Sequence, residues 1–278
     1  MKPVGNYSFK IRKGSGELQD FSKLKFINSL KKSGLDQKKI DLILEKLGPR
    51  LKEGLSTKRL YRLAHSLIKK NSYTAASRYA FPRTLSSLGP DGFNFEKFVA
   101  GLMGKLGYEV KVGVVLKGKC VSHEVDVIAS KNGKTIYMEC KFRNNLAFKD
   151  DIKTALYVNA RKMDLQQNTE NKFDEFWLVT NAKFTLDALT YSECAGLKAV
   201  SPYDPEGYSL YDLMVKAKAH PIGIINSLKP RDQSYLINRG IFFVKDLLSS
   251  PNAIDKLSIS KKQADEILKE ARALCSPF

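Results

Sequence analysis

The chain has 278 residues, 43% of them hydrophobic and 27% charged, an ordinary globular mixture long enough for two or three domains with real cores. Its formal net charge is +18, and residues 1–88 hold most of the surplus, with 20 Lys and Arg against 6 Asp and Glu, so a polyanion, nucleotide or nucleic acid, is the expected partner. The cysteines at 120, 140, 194 and 275 make no CxxC pair and histidines are few, which argues against a zinc centre or a disulfide framework. No apolar run is long enough to span a membrane and the first residues lack a hydrophobic signal core, so a cytoplasmic protein with no membrane contact is expected.

In chain order, YSFKIRK (7–13) alternates weakly and predicts a strand, with Gly14-Ser15-Gly16 as its turn. Ser22 and Asp36 are N-caps for two helices, the second stopped by Gly48-Pro49, and Ser56 opens a third. Leu60, Leu63, Ala64, Leu67 and Ile68 give that third helix one apolar face on an otherwise basic surface. A fourth helix over SYTAASRYAF ends before Pro82, and residues 86–92 read as a linker. NFEKFVAGLMGKLGYEV then predicts a helix, followed by a hairpin, an amphipathic helix over 150–165, a strand over 174–181 and a helix over 185–194. A last short strand (LKAVSP) precedes a second linker, residues 201–207, and the remaining residues are helical. That order suits an α/β sandwich around a mixed sheet. Trp177 is expected in the core, and no Gly-rich Walker loop is present, which excludes a P-loop ATPase.

The chemistry concentrates in CVSHEVDVIASKNGKTIYMECKF (120–142). Asn132-Gly133 is the dipeptide suited to a type I′ turn, which sets Lys131 against Lys134, Ala129 against Ile136 and Asp126 against Glu139. Alternation puts Glu124, Asp126, Glu139 and Lys141 on one face, and His123, Val125, Val127, Ala129, Ile136, Met138 and Cys140 on the core face. Two opposed carboxylates about 5 Å apart repel by roughly 3 kcal/mol at an effective dielectric near 20. A divalent cation between them turns the repulsion into attraction, and oxygen ligands suit Mg2+. Lys141 would put a positive charge where a phosphate could sit. The bland alternative is a solvated polar face.

Asp126 followed by Glu139-x-Lys141 resembles the PD-(D/E)xK nuclease motif, and the preceding helix with Glu96 resembles the first helix of Mrr-type restriction endonucleases. The resemblance covers roughly residues 92–202 of a domain expected at 89–202, and implies catalytic roles for Glu96, Asp126, Glu139 and Lys141. It also implies Mg2+ (or Mn2+) held by Asp126, Glu139 and the Cys140 carbonyl. Lys13, Gly16, Phe21 and Lys25 fit the spacing of an ATP-cone, a nucleotide-sensing regulatory domain. That resemblance covers residues 4–88 of a domain expected at 1–88, and implies an ATP or dATP site at Lys13, Gly16, Lys25, Thr57 and Tyr61, with Gly14-Ser15 where the family has Arg-Asp. LINRGIFFVKDLL and LSISKKQADEIL in residues 203–278 resemble a helix-hairpin-helix module. It implies DNA contacts at Lys261 and Lys262, with Ser258 and Ser260 where the family has glycine.

The expectation is therefore a multidomain α/β chain in three parts: a helical ATP-cone, a PD-(D/E)xK-type sandwich and an all-α C-terminal domain. Its function would be a metal-dependent DNA endonuclease allosterically regulated by ATP or dATP and acting as a homo-oligomer. The alternatives are a nucleotide-sensing DNA-binding regulator with an inert nuclease fold, and an enzyme that cuts RNA.

Overall fold

The structure, a computed structural model, describes residues 9–13, 16–89, 92–146 and 148–275. Tyr7 and Ser8 of the expected first strand, Gly14 and Ser15 of its turn, and Pro90 and Asp91 of the first linker lie outside the described residues. The chain divides into two compact units, Met1–Phe81 and Pro82–Phe278.

In the first unit, β1 (Lys10–Arg12) pairs antiparallel with β2 (Leu18–Asp20). Three helices α1 (Lys23–Lys32), α2 (Gln37–Leu47) and α3 (Thr57–Asn71) begin where short polar side chains satisfy first-turn N–H groups. Ser22 Oγ accepts from the Lys25 N–H, Asp36 Oδ1 from that of Lys39 and Ser56 Oγ from that of Arg59. A two-residue strand, β3 (Leu55–Ser56), runs parallel to β1 and completes the sheet order β2-β1-β3. The expected stripe on α3 is the buried one: Leu60, Ala64, Leu67 and Ile68 join Leu30, Ile40, Ile43 and Leu47 in one core. The next helix, α4 (Tyr73–Ser86), differs from expectation by continuing through Pro82. Phe81 and Leu85 are buried on either side of the proline, so packing keeps the helix going past the lost backbone donor.

The second unit is built on a five-stranded sheet. After α5 (Phe93–Lys105) come β4 (Glu109–Lys117), β5 (Ser122–Lys131) and β6 (Lys134–Lys141), all antiparallel neighbours. A short β7 (Lys149–Asp150), α6 (Ile152–Gln166), β8 (Glu175–Thr180), a short β9 (Lys183–Phe184), α7 (Leu186–Cys194) and β10 (Leu197–Val200) follow. The order is β10-β8-β6-β5-β4, with β6, β8 and β10 parallel. Asn132 and Gly133 both take positive φ, 52° and 77°, as a type I′ turn requires, and the register is the expected one, with Lys131 opposite Lys134 and Ala129 opposite Ile136. Trp177 is buried.

Helices α6 and α7 cover one face through Ala155, Val158, Leu165 and Ala188, which pack on Tyr137, Phe176, Leu178 and Leu197. Ile136 and Met138 point the other way, toward the side where α5 packs on β4 and β5. Two residues of β5 depart from the expected alternation. Val125 packs with Tyr137 on the α6 side, and His123 reaches Asp164 of α6, so both leave the face of Val127 and Ala129. The strand pair turns over between Val112–Val127 and Val114–Val125, where Gly113 adopts φ +64°, a conformation that disfavours any side chain. Asp126 sits at that turnover.

The C-terminal helices are α8 (Leu210–Ala217), α9 (Pro230–Ile237), α10 (Val244–Ser249), α11 (Asn252–Asp255) and α12 (Lys261–Cys275). They belong to the same compact unit as the sheet. Phe243 stacks on Phe98 of α5 with ring centroids 5.1 Å apart, and Lys105 donates to Asp246 at 2.6 Å. Gly101 makes room for this, since a Cβ there would lie 2.9 Å from the Phe243 ring. Among the described residues no helix is long and apolar enough to cross a membrane.

Candidate active site

The site forms where β5 and β6 part. Regular pairing of the two strands ends at Val127–Met138, and beyond it the Asp126 carboxylate accepts from the Cys140 N–H at 2.7 Å in place of a strand partner. The pleat carries Glu139 and Lys141 to the same face as Tyr137, beneath α6. Glu139 is buried at 2% exposure, and its Oε1 accepts from Lys141 Nζ at 2.6 Å and from Arg161 Nη1 at 2.5 Å. Arg161 Nη2 also donates to the Glu124 carbonyl. Glu96, in the first turn of α5, is close enough for its charge to act on Asp126.

Electrostatics mark Asp126 out. Burial pushes its carboxyl up to about 7, helped by the charges of Glu139 and Glu96, against the Cys140 N–H and Lys141, which favour the ionised form. The Cys140 thiol is pushed well above its ordinary value by burial and by the neighbouring carboxylates.

These groups suit a hard divalent cation on the chemistry of their donors. Among the described residues no hydrogen bond occupies Asp126 Oδ1 or Glu139 Oε2. Burial raises Asp126 most and the charges of Glu139 and Glu96 add to it, and a cation would offset the like-charge part. Among the described residues no group of three or more His, Cys, Asp or Glu side chains converges as a ready-made metal cage.

Of the other residues singled out, Lys13, Gly16, Lys25, Thr57 and Tyr61 belong to the first unit, and Lys261 and Lys262 to the C-terminal helices of the second. Lys13 follows β1 and pairs with Glu17 at 3.5 Å, while Gly16 turns the chain at φ +89°. Because Arg12 is opposite Ser56, Lys13 and Thr57 emerge from adjacent parallel strands. Lys25 is exposed in the first turn of α1. Tyr61 stacks on Tyr79 at 5.2 Å and on His65 at 5.8 Å. Lys261 and Lys262 are exposed at the start of α12, just after Ser260, whose hydroxyl accepts from the Gln263 N–H at 3.3 Å.

Residues 89–202 match the restriction endonuclease family, and residues 220–275 match a family described as AF1548-like, C-terminal. An uncharacterized protein of Archaeoglobus fulgidus is 30% identical over 175 residues, which make up 63% of this chain and 98% of that one. The chain belongs to the AF1548-like family. The crystal structure of AF1548, a protein of unknown function, is 29% identical with a TM-score of 0.54, and covers 66% of this chain and 98% of that one. The structure of Can2 from Sulfobacillus thermosulfidooxidans in complex with cyclic tetra-adenylate is more distant, at 16% identity and a TM-score of 0.34 over 44% of this chain and 34% of that one.

In this AF1548-like chain, sequence reasoning missed Arg161 and Tyr157. The two lie one turn apart on α6, with the Tyr157 ring 5.7 Å from the Arg161 guanidinium and 5.9 Å from Lys141 Nζ. Their i, i+4 spacing was readable, but nothing in the sequence aligned that helix face with Glu139.

Proposed function

We propose that this chain is a Mg2+- or Mn2+-dependent endodeoxyribonuclease regulated by ATP or dATP, with three working parts at residues 1–88, 89–202 and 203–278. The observation that carries the reading is the pairing of Asp126, raised to about 7, with a buried Glu139 and an adjacent Lys141, inside a segment that matches the restriction endonuclease family. Asp126, Glu139 and the Cys140 carbonyl would hold the cation, with Glu96 as a further ligand or as the group that orients water. Bound there, a divalent cation supplies Lewis-acid activation of water and charge stabilisation at the phosphate. Lys141 stabilises the developing negative charge on the phosphate oxygens. Water would add to phosphorus as the bond to the leaving sugar oxygen breaks, with a proton lost from the attacking water to solvent and one gained from solvent by the leaving oxygen.

For the first part, support comes from the lysine and threonine at adjacent strand ends, where charge-assisted contacts to a polyphosphate are available. For the tail, support comes from the helix–turn–helix of α11 and α12, whose start carries two exposed lysines next to backbone N–H groups. A second reading, a nucleotide-sensing DNA-binding regulator with an inert nuclease fold, draws on the closure of both Lys141 and Arg161 onto Glu139.

A plasmid cleavage assay with Mg2+, with EDTA and with ATP separates the readings. The nuclease nicks DNA in Mg2+ alone and loses that activity in Asp126→Ala. Equal cutting in EDTA, or full activity in that variant, overturns it, and DNA binding without any cutting favours the regulator.

A further inference from the structure

Glu139 is held twice at one atom. Lys141 and Arg161 both donate to Oε1, at 2.6 and 2.5 Å, and the Glu139 side chain is only 3% exposed. One charge partner compensates a buried carboxylate; two on the same oxygen leave one of them available for other work. The two cations are not equally fixed. Arg161 is 13% exposed, is tied by Nη2 to the Glu124 carbonyl and has the Tyr157 ring beside it. Lys141 is 31% exposed, and Glu139 is its one hydrogen-bond acceptor among the described residues. The planar guanidinium fork is suited to the bridging role, and the mobile ammonium is suited to leaving.

We propose that Arg161 is a positioning residue for the nuclease site. It keeps Glu139 clamped by Oε1, presents Oε2 on the side of Asp126, and so frees Lys141 to turn from Glu139 to the substrate phosphate. The proposal rests on the nuclease reading and extends it to a residue outside the Asp-Glu-Lys motif. Without Arg161, Lys141 becomes the sole counter-charge of a buried carboxylate and stays on it. Turnover then falls, while cation binding holds or tightens, because a positive charge has left the neighbourhood of the carboxylates.

The test compares the parent with Asp126→Asn, Arg161→Met and Arg161→Lys in full-length protein. It measures single-turnover plasmid cleavage in Mg2+, Mn2+ binding by calorimetry without DNA, and thermal melting. Arg161→Met is expected to cleave roughly 30-fold more slowly with Mn2+ affinity unchanged or tighter. Arg161→Lys keeps the charge but cannot bridge Glu139 and the Glu124 carbonyl together, so it is expected to fall between Met and the parent. Should Arg161→Met not fold, the Lys variant alone carries the comparison, slower than the parent with intact Mn2+ binding. Cleavage by Arg161→Met within threefold of the parent, cleavage by Arg161→Lys at the full parent rate, or loss of Mn2+ binding together with cleavage overturns the proposal. A parent that does not cleave, or an Asp126→Asn variant that cleaves normally, overturns the nuclease reading first and this proposal with it.

Discussion

Two aspartates within one unit, Asp126 and Asp164, show opposite ways to treat a carboxylate. Asp164, on α6, accepts from the Cys120 and Val121 N–H groups at 2.8 and 3.2 Å and faces His123 Nε2 at 2.8 Å. Those donors hold its carboxyl well below the usual range, the Cys120 N–H foremost. Asp126 has one backbone donor, and burial together with Glu139 and Glu96 pushes it up to about 7. A carboxylate that staples a turn is ringed by donors. One that is buried and faces like charges costs stability in the bare protein, a cost that a cation would offset on the proposed reading. The contrast also gives His123 its job: it belongs to the staple, and the sequence placed it on the wrong face.

The largest effect should come from the strained centre. Asp126→Ala or Glu139→Ala is expected to lower Mg2+-dependent cleavage by about 1000-fold or more, with DNA binding in a gel-shift assay unchanged or slightly tighter. Activity within tenfold of the parent would erase the functional half of the contrast. Lys141→Ala should also slow cleavage but leave Mn2+ affinity intact.

The pH dependence should differ in sign between the two aspartates. Below about 4, Asp126 is protonated in both the folded and the unfolded chain and costs nothing. As pH rises toward 7 the unfolded chain ionises first, so the metal-free fold loses stability, on the order of 4 kcal/mol at most for a shift from 3.8 to about 7. Denaturant melts of parent and Asp126→Asn should therefore diverge between pH 4 and 8, with the variant the more stable at the upper end. Asp164 works in reverse: its contribution is present above the usual aspartate range and is lost as acid protonates it. Asp164→Ala should lower the melting temperature at neutral pH by several degrees and leave the pH trend from Asp126 in place. A rise in stability on removing Asp164 would end the comparison.

Gly113→Ala should have an intermediate effect. A Cβ there would lie 3.2 Å from Glu124 Oε1 in a backbone conformation at φ +64°, at the point where the strand pair turns over. A loss of about 1 kcal/mol or more is expected, with cleavage reduced beyond what the lower stability explains. The smallest effect is expected in the first unit. Lys13→Ala and Lys25→Ala should each weaken ATP or dATP binding severalfold by calorimetry. Removing residues 1–88 should leave cleavage indifferent to nucleotide, and a truncated protein that still responds to ATP would put the regulatory site elsewhere.

Local chemistry made much of this legible. Asn132-Gly133 set the hairpin register, and Ser22, Asp36 and Ser56 marked helix starts, because each acts within a few residues. Asp126, Glu139 and Lys141 fall together because register converts spacing into proximity. What the sequence hid depends on distant segments. Gly113 turns the β4–β5 pair over and reverses the faces of His123 and Val125. Arg161 meets Glu139 only because α6 lies across β6. Buried Phe81 and Leu85 carry α4 past a proline that local propensity reads as a stop.

The seat of Phe243 against Gly101 and Phe98 has a consequence for where a cut would fall. Helix α5 carries Glu96 near one end and Lys105, bonded to Asp246, at the other, a span of about 13 Å at 1.5 Å per residue. On the proposed reading, a tail gripping duplex DNA would act as a ruler, holding its anchoring point at one set spacing from the scissile bond. Cleavage products mapped against a footprint of the tail should show a constant offset in base pairs whatever the sequence. Replacing Gly101 with a bulkier residue would loosen the ruler and scatter that offset before it abolished cutting.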